Sequence, residues 1–200
     1  TAAGYYNITG TNNTYLGRSA GLGVSTKSHS GCVFIGTNAG LTAYTGDNNI
    51  AIGFGAMDDV DADATVGGSN NNIFMGTNAG GGTWATAASN FNVGIGSNVM
   101  DAAMNGALGN TALGYNTLSS VTEGDYNVAI GYNTGQNIST GTYSVYIGYG
   151  AGLATTSGGS NVAIGTNAYA AGTNSSVVAI GAEAGKTTTL NDGVWIGVNA

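Results

Sequence analysis

Proline is absent from this 200-residue chain, and cysteine, histidine and charged residues are scarce. Because Cys32 is the only cysteine, the chain cannot form an internal disulfide. Only 6% of the residues are charged, against about 25% in an average globular protein. With three basic residues and a net charge of −7, the chain cannot neutralise a phosphate backbone, so we expect no nucleic-acid partner.

Long apolar runs are missing as well. No run approaches the ~18 apolar residues of a membrane-spanning segment, so we expect no membrane insertion. Disorder is not expected either, because 42% of the residues are apolar and disordered chains are poor in such residues. Glycine is the residue in excess, with 37 copies, and its placement reveals a repeat.

A short motif recurs along the whole chain, anchored on the glycine of a Leu/Ile/Met–Gly pair. Eleven copies stand 16 to 23 residues apart. Three residues before every anchor is a β-branched residue, three residues after it is Ala in eight copies, and Asn is frequent four before and two after. The anchors are Gly17, Gly36, Gly53, Gly76, Gly96, Gly114, Gly131, Gly148, Gly165, Gly181 and Gly197.

Each motif predicts one short strand. The β-branched residue and the Leu/Ile/Met residue are two apart, so they share one face of the strand, while the residue between them varies freely. We therefore expect the two aliphatic side chains to point inward and the middle residue outward. On this prediction Val128→Asp destabilises the fold far more than Thr156→Asp in a loop. The anchor glycine turns the chain with a positive φ, Ala fits a narrow interior, and the asparagines form ladders between neighbouring coils.

The predicted fold is all-β: a parallel β-solenoid of about eleven coils of 16–23 residues, with residues 1–200 as a single repeat-built domain. The variable stretches between motifs carry eleven of the thirteen charged residues, as expected of loops. At ~4.8 Å per coil the rod is about 50 Å long. Counted back from the first anchor and on from the last, the repeat begins and ends within a coil. We therefore expect the chain to be a segment of a longer array, or a subunit that polymerises end to end.

One chain supplies little apolar burial for such a rod. One β-branched residue, one Ile or Leu and one Ala per coil contribute roughly 5 kcal/mol, while each ordered backbone residue costs about 1–2 kcal/mol. The missing burial is expected to come from identical chains that pack side by side or intertwine, so we predict a homo-oligomer, with a trimer favoured by the resemblance described next.

The phrases "NVAIG" at 127–131 and 161–165, "VVAIGAEAG" at 177–185 and "NTALGYNTL" at 110–118 resemble the head repeat of YadA-like trimeric autotransporter adhesins and related tail-fibre repeats. The resemblance covers essentially the whole chain, although the coils here are longer and less even. It implies a left-handed parallel β-roll, three chains per fibre and an extracellular, cell-surface or virion location.

No constellation in the sequence indicates an enzyme. His29 and Cys32 stand close together in "KSHSGC", which suggests a nucleophile–base pair, but nothing else supports one and we expect a polar loop histidine. Polysaccharide-cleaving enzymes need paired carboxylates, whereas the acidic residues here are scattered through loops, with one exception.

The exception is the segment 57–68, "MDDVDADATVGG". Asp59, Asp61 and Asp63 have the alternate spacing that opens an EF-hand calcium loop. Ala64 replaces the required glycine and Asn70 stands where the bidentate glutamate belongs. We expect a solvated acidic loop, with a weak Ca²⁺ site as the alternative, and no other cofactor.

Tyr115, Tyr132 and Tyr149 follow the anchor glycine in three successive copies. Stacked coils would place them in a column ~4.8 Å apart, either for packing or at a subunit seam, or as a sugar-binding strip. The sequence also contains N-x-[ST] glycosylation acceptors at Asn7, Asn12, Asn137 and Asn174.

The sequence thus predicts a structural fibre: a shaft or adhesin-head segment of a surface fibre, tail fibre or filament, with its own copies as main partner and a cell-surface or glycan receptor as a further one. The alternatives are an ice-binding or a carbohydrate-binding solenoid. Ice binding needs a flat array, typically of Thr, and the predicted outward position contains none.

Overall fold

The computed structural model describes residues 2–43, 45–60, 68–84 and 87–200. Eleven three-residue strands form one parallel sheet in chain order, and the chain coils through about ten turns. Strand bounds coincide with the predicted motif positions. The strands are β1 (Thr14–Leu16), β2 (Val33–Ile35), β3 (Ile50–Ile52), β4 (Ile73–Met75), β5 (Val93–Ile95), β6 (Thr111–Leu113), β7 (Val128–Ile130), β8 (Val145–Ile147), β9 (Val162–Ile164), β10 (Val178–Ile180) and β11 (Val194–Ile196).

Equivalent residues of successive motifs lie directly over one another. Val128 pairs with Val145 and Ile130 with Ile147, and the same register holds along the whole sheet. The anchor glycines form a column, and in all of them except Gly197 both the positive φ and the close approach of the next coil require glycine. Gly148 has φ 128°, and a Cβ there would lie 2.7 Å from the carbonyl oxygen of Gly165. The predicted alignment of the glycines along the rod is therefore confirmed.

The predicted facing of the strands is wrong. The middle residue of each internal strand is buried, as Phe34, Ala129 and Tyr146 are. The flanking aliphatic residues point away from the interior, so that Leu113 is 46% and Ile130 36% exposed. Val128, expected to be buried, is only half-buried on this outer face.

The middle residue varies because a second position in the same coil compensates for its size. That position lies four residues after the anchor glycine and has a positive φ. Where the middle residue is aromatic, glycine stands there: a Cβ on Gly40 would lie 2.6 Å from the ring of Phe34. In four of the six coils whose middle residue is small, a large buried side chain stands there instead; the β7 and β10 coils have Gly135 and Gly185 at that position. The small–large pairs are Ala51 with Met57, Gly94 with Met100, Ala112 with Leu118 and Ala163 with Tyr169.

An asparagine ladder runs inside the rod beside the strands, as predicted. The backbone N–H of Asn110 donates to Oδ1 of Asn92 at 3.0 Å, and that of Asn127 donates to Oδ1 of Asn110 at 3.0 Å. The side-chain amide of Asn110 also donates to the carbonyl of Gly124 at 2.6 Å. Ser144, which precedes β8, takes the place of Asn and continues the ladder through its hydroxyl, which accepts from the backbone N–H of Asn161 at 3.1 Å.

Seven of the eight alanines three residues after the anchor are buried, as the narrow interior requires, and the eighth, Ala200, is exposed. The buried seven are Ala20, Ala39, Ala56, Ala79, Ala151, Ala168 and Ala184.

Candidate interaction surface

The outer face of the sheet is a strip of aliphatic side chains. Each of the eleven strands presents two of them, drawn only from Val, Ile, Leu, Met and Thr. Because equivalent residues stack in register, the side chains form two unbroken columns that carry no charge. Internal members are partly shielded by the coils above and below them, and Leu16 and Ile196 in the end strands are more exposed.

This strip is large for the surface of a single chain. Ten steps of ~4.8 Å give a length of about 48 Å, and three-residue strands give a width of about 10 Å, or about 500 Å². That lies in the upper part of the ~300–600 Å² range of the largest apolar patches on monomers, which are often functional. With the residues that border it on both sides, the surface approaches about 1,000 Å².

One border carries the tyrosine column predicted from the sequence. Tyr115 and Tyr132 stack with ring centroids 5.0 Å apart and an interplanar angle of 19°. Tyr132 and Tyr149 stack at 5.5 Å and 7°. All three are exposed. Because Tyr132 contacts a parallel ring on each side, its faces are partly covered, which favours packing over sugar stacking.

The opposite border carries a second aromatic column that the sequence analysis missed. Tyr126 and Tyr143 stack at 5.3 Å with an interplanar angle of 15°, and Phe91 occupies the same register in an earlier coil. All three are exposed. The sequence signal for this column is an aromatic residue two positions before the β-branched residue of these coils. This signal recurs less regularly than the tyrosines that follow the anchor glycine.

The second column stands on strained backbone. Phe91, Tyr126 and Tyr143 have φ of 59°, 56° and 54°, the left-handed region that other coils fill at this register mostly with Asn, Gly, Ser or Asp. For a bulky side chain this conformation costs roughly 1–2 kcal/mol. Such outliers persist only where something compensates for them, and they cluster at functional positions.

His29 lies in a loop, as predicted from the sequence, but its side chain is buried. It is 1% exposed, and its Nε2 lies 2.7 Å from the hydroxyl of Tyr15, which also accepts from the Asn7 amide at 2.6 Å. Burial lowers the pKa of His29 and raises that of Tyr15 to about 12. Burial likewise raises the pKa of Cys32 to about 11, so its thiol is protonated at neutral pH.

Of the acidic residues singled out as a calcium candidate, the structure describes Asp59; Asp61 and Asp63 lie outside the described residues. The Asp59 carboxylate accepts hydrogen bonds from Thr42 at 3.1 Å and from Thr83 at 2.6 Å. Burial raises the pKa of the neighbouring Asp58. Within the described ranges, no three Asp, Glu, His or Cys side chains gather as a metal site.

The four glycosylation acceptors differ in accessibility. Asn12 and Asn137 are exposed. Asn7 and Asn174 are half-buried, and their side-chain amides donate to other groups, that of Asn174 to the carbonyl of Thr189 at 2.5 Å. The structure therefore presents Asn12 and Asn137 best to a modifying enzyme.

Comparison with known proteins does not assign the chain to a family. No protein-family model, no curated protein and no solved structure matches this chain. In the part of the chain that the structure describes, no helix is long and apolar enough to cross a bilayer. Inference about function therefore rests on the geometry of the solenoid and its outer face.

Proposed function

We propose that this chain is a structural segment of an extracellular fibre, and that its outer sheet face packs against the same face of identical chains. The observation that carries the proposal is the uncharged aliphatic strip along all eleven strands. A stable interface buries about 800 Å² per partner, and the strip with its borders supplies about that area. A left-handed roll and a trimer are the forms that the resemblance to adhesin and tail-fibre repeats favours.

A second copy fits this face better than an unrelated partner does. The strip has one repeating pattern over its whole length, so a parallel copy at the same height offers matching side chains in every coil. Sheets pack face to face ~10 Å apart by interdigitating such side chains. Three copies around a common axis would cover each strip with two neighbours and leave the charged loops outside.

Glycan binding is the second candidate, supported by the exposed tyrosines that border the strip. Ice binding has less support, because the true outward positions of the strands include threonine only at Thr14 and Thr111.

The test compares Val128→Asp on the outer face with Ala129→Asp in the interior, using light scattering for mass and circular dichroism for fold. We expect the native protein to have a mass of two or more times the 19.6 kDa of one chain. Val128→Asp should lower that mass while the sheet signal persists, because the carboxylate stays solvated in the separated chain. Ala129→Asp should abolish the fold, since it buries an unpaired charge. Thr156→Asp, in an exposed loop, serves as the control.

A native chain that stays monomeric at every concentration would overturn the proposal. So would a Val128→Asp variant that unfolds as completely as Ala129→Asp.

A further inference from the structure

The two aromatic columns border the same coils on opposite sides of the outer face. In β7 and its flanks, alternate residues Tyr126, Val128, Ile130 and Tyr132 are the partly or largely exposed ones, while Asn127 and Ala129 between them are buried. The next coil repeats this order with Tyr143 and Tyr149 at its two borders. Each of these coils therefore presents a tyrosine, two aliphatic side chains and another tyrosine.

We propose that these columns form the seam between neighbouring chains: Tyr126 and Tyr143 of one copy pack against Tyr115, Tyr132 and Tyr149 of the next, in a parallel, in-register assembly. This inference rests on the proposed function and specifies its geometry. It specifies that the second chain runs in the same direction as the first and that equivalent coils of the two chains lie side by side. The aliphatic strip alone specifies neither.

Symmetry favours the parallel arrangement. Rotation about an axis along the rod keeps every coil at its own height and brings one border of each chain against the opposite border of its neighbour. The two columns then meet, because both lie in the coils of β7 and β8. An antiparallel twofold axis would bring each border against itself with heights reversed, so the two different columns would not meet.

The backbone supports the same conclusion. Asn or Gly would fit the left-handed φ at Tyr126 and Tyr143 without strain, as Asn48 and Gly109 do in equivalent places. The ring of Tyr126 lies over Gly109, where an added Cβ would be 2.8 Å from it. The strained tyrosines contribute little to the interior, since both are exposed. Contacts with a neighbouring chain supply a compensation that the isolated chain lacks.

The contact between the columns of neighbouring chains can be tested by photo-oxidation with a ruthenium trisbipyridyl complex and persulfate. This reaction joins tyrosine rings that are in contact as dityrosine. Within one chain, Tyr126 and Tyr132 are separated by the width of the face, about 20 Å. A dityrosine that links Tyr126 or Tyr143 to Tyr115, Tyr132 or Tyr149 therefore forms only between chains. We expect mass spectrometry to find these pairs, and denaturing gels to show covalent oligomers.

Matched variants separate the seam from background reaction. Tyr126→Phe with Tyr143→Phe keeps the rings but removes the phenols, and should reduce covalent oligomers at least fivefold. Tyr5→Phe with Tyr6→Phe removes two exposed tyrosines far from these coils and should leave the yield unchanged.

An assembly by light scattering that yields no link between the two columns would overturn the seam but not the proposed function. Links of Tyr126 to Tyr126 would also overturn it, because they require the antiparallel arrangement. A monomeric native chain would overturn both proposals.

Discussion

At the scale of single residues, His29 couples folding to pH. Its Nε2 lies 2.7 Å from the Tyr15 hydroxyl, and the ring is buried. Burial is the largest influence on its pKa and lowers it, while the Asp47 carboxylate opposes the shift. The folded state therefore holds His29 neutral at a pH where the unfolded chain already binds a proton.

We predict that acid weakens the coils around His29. Because its pKa is lower in the folded state, its contribution is fully present above about pH 6.5. It is lost as pH falls toward the folded pKa, by up to about 1.4 kcal/mol per pH unit. The midpoint of thermal unfolding and amide exchange in β1 should show this loss, and His29→Phe should remove it. The chain has no other histidine, so an unchanged profile in His29→Phe would contradict the assignment.

At the scale of the element, eight coils place one large interior side chain at either of two positions; the β7 and β10 coils have small residues at both. The pair Ala112 and Leu118 in the β6 coil has the opposite order from Phe34 and Gly40 in the β2 coil. In these eight coils the summed volume of the two positions is kept more strictly than the position that supplies it.

We predict that Ala112→Phe and Leu118→Gly rescue each other. Alone, the first overpacks the coil at a cost of about 1–3 kcal/mol, and the second leaves a cavity at a cost of about 2–5 kcal/mol. Together they reproduce the arrangement of Phe34 and Gly40, so the double variant should be at least about 1 kcal/mol more stable than additivity gives. Denaturant unfolding measures this. Ala112→Phe with Leu153→Gly, in separate coils, is the control expected to be additive.

These pairs also explain how far the sequence could predict the fold. The strand bounds and the glycine column follow from strict local requirements that recur in every copy. The facing of the strands does not follow from the sequence. A middle position that varies in size is typical of an exposed residue, and only the structure shows that Leu118, Met57 and their equivalents fill the interior of coils whose middle residue is small. The Tyr115–Tyr132–Tyr149 column was predictable from the repeat. The burial of His29 was not, since Tyr15 and Asn7 enclose it from a different coil.

At the scale of the whole molecule, the coils stack as units in one common register. Equivalent residues pair in register from β1 to β11, and the ladder groups that precede β7 and β9 are both asparagine. Removing one complete coil should therefore leave a surface onto which the next coil fits.

We predict that deleting residues 144–160, one full coil with β8, leaves a cooperative solenoid. Asn161 would then donate to Asn127, and Val162–Ile164 would pair with Val128–Ile130. Deleting only residues 144–152 should disrupt the fold, because the remaining half-coil cannot keep the register. Circular dichroism melting curves distinguish the two variants. Equal loss of cooperativity in both would show that the coils are not equivalent.

The direction of the hydrogen bonds has a mechanical consequence. Those of the sheet and of the asparagine ladder join each coil to the next, so they run along the rod. A tensile load on the two ends acts on one coil boundary at a time instead of shearing many bonds together. Each coil of about 17 residues that peels away releases about 60 Å of extended chain for a loss of ~4.8 Å of rod. A rod built this way resists bending, yet lengthens in steps under a pull and dissipates the load before it breaks.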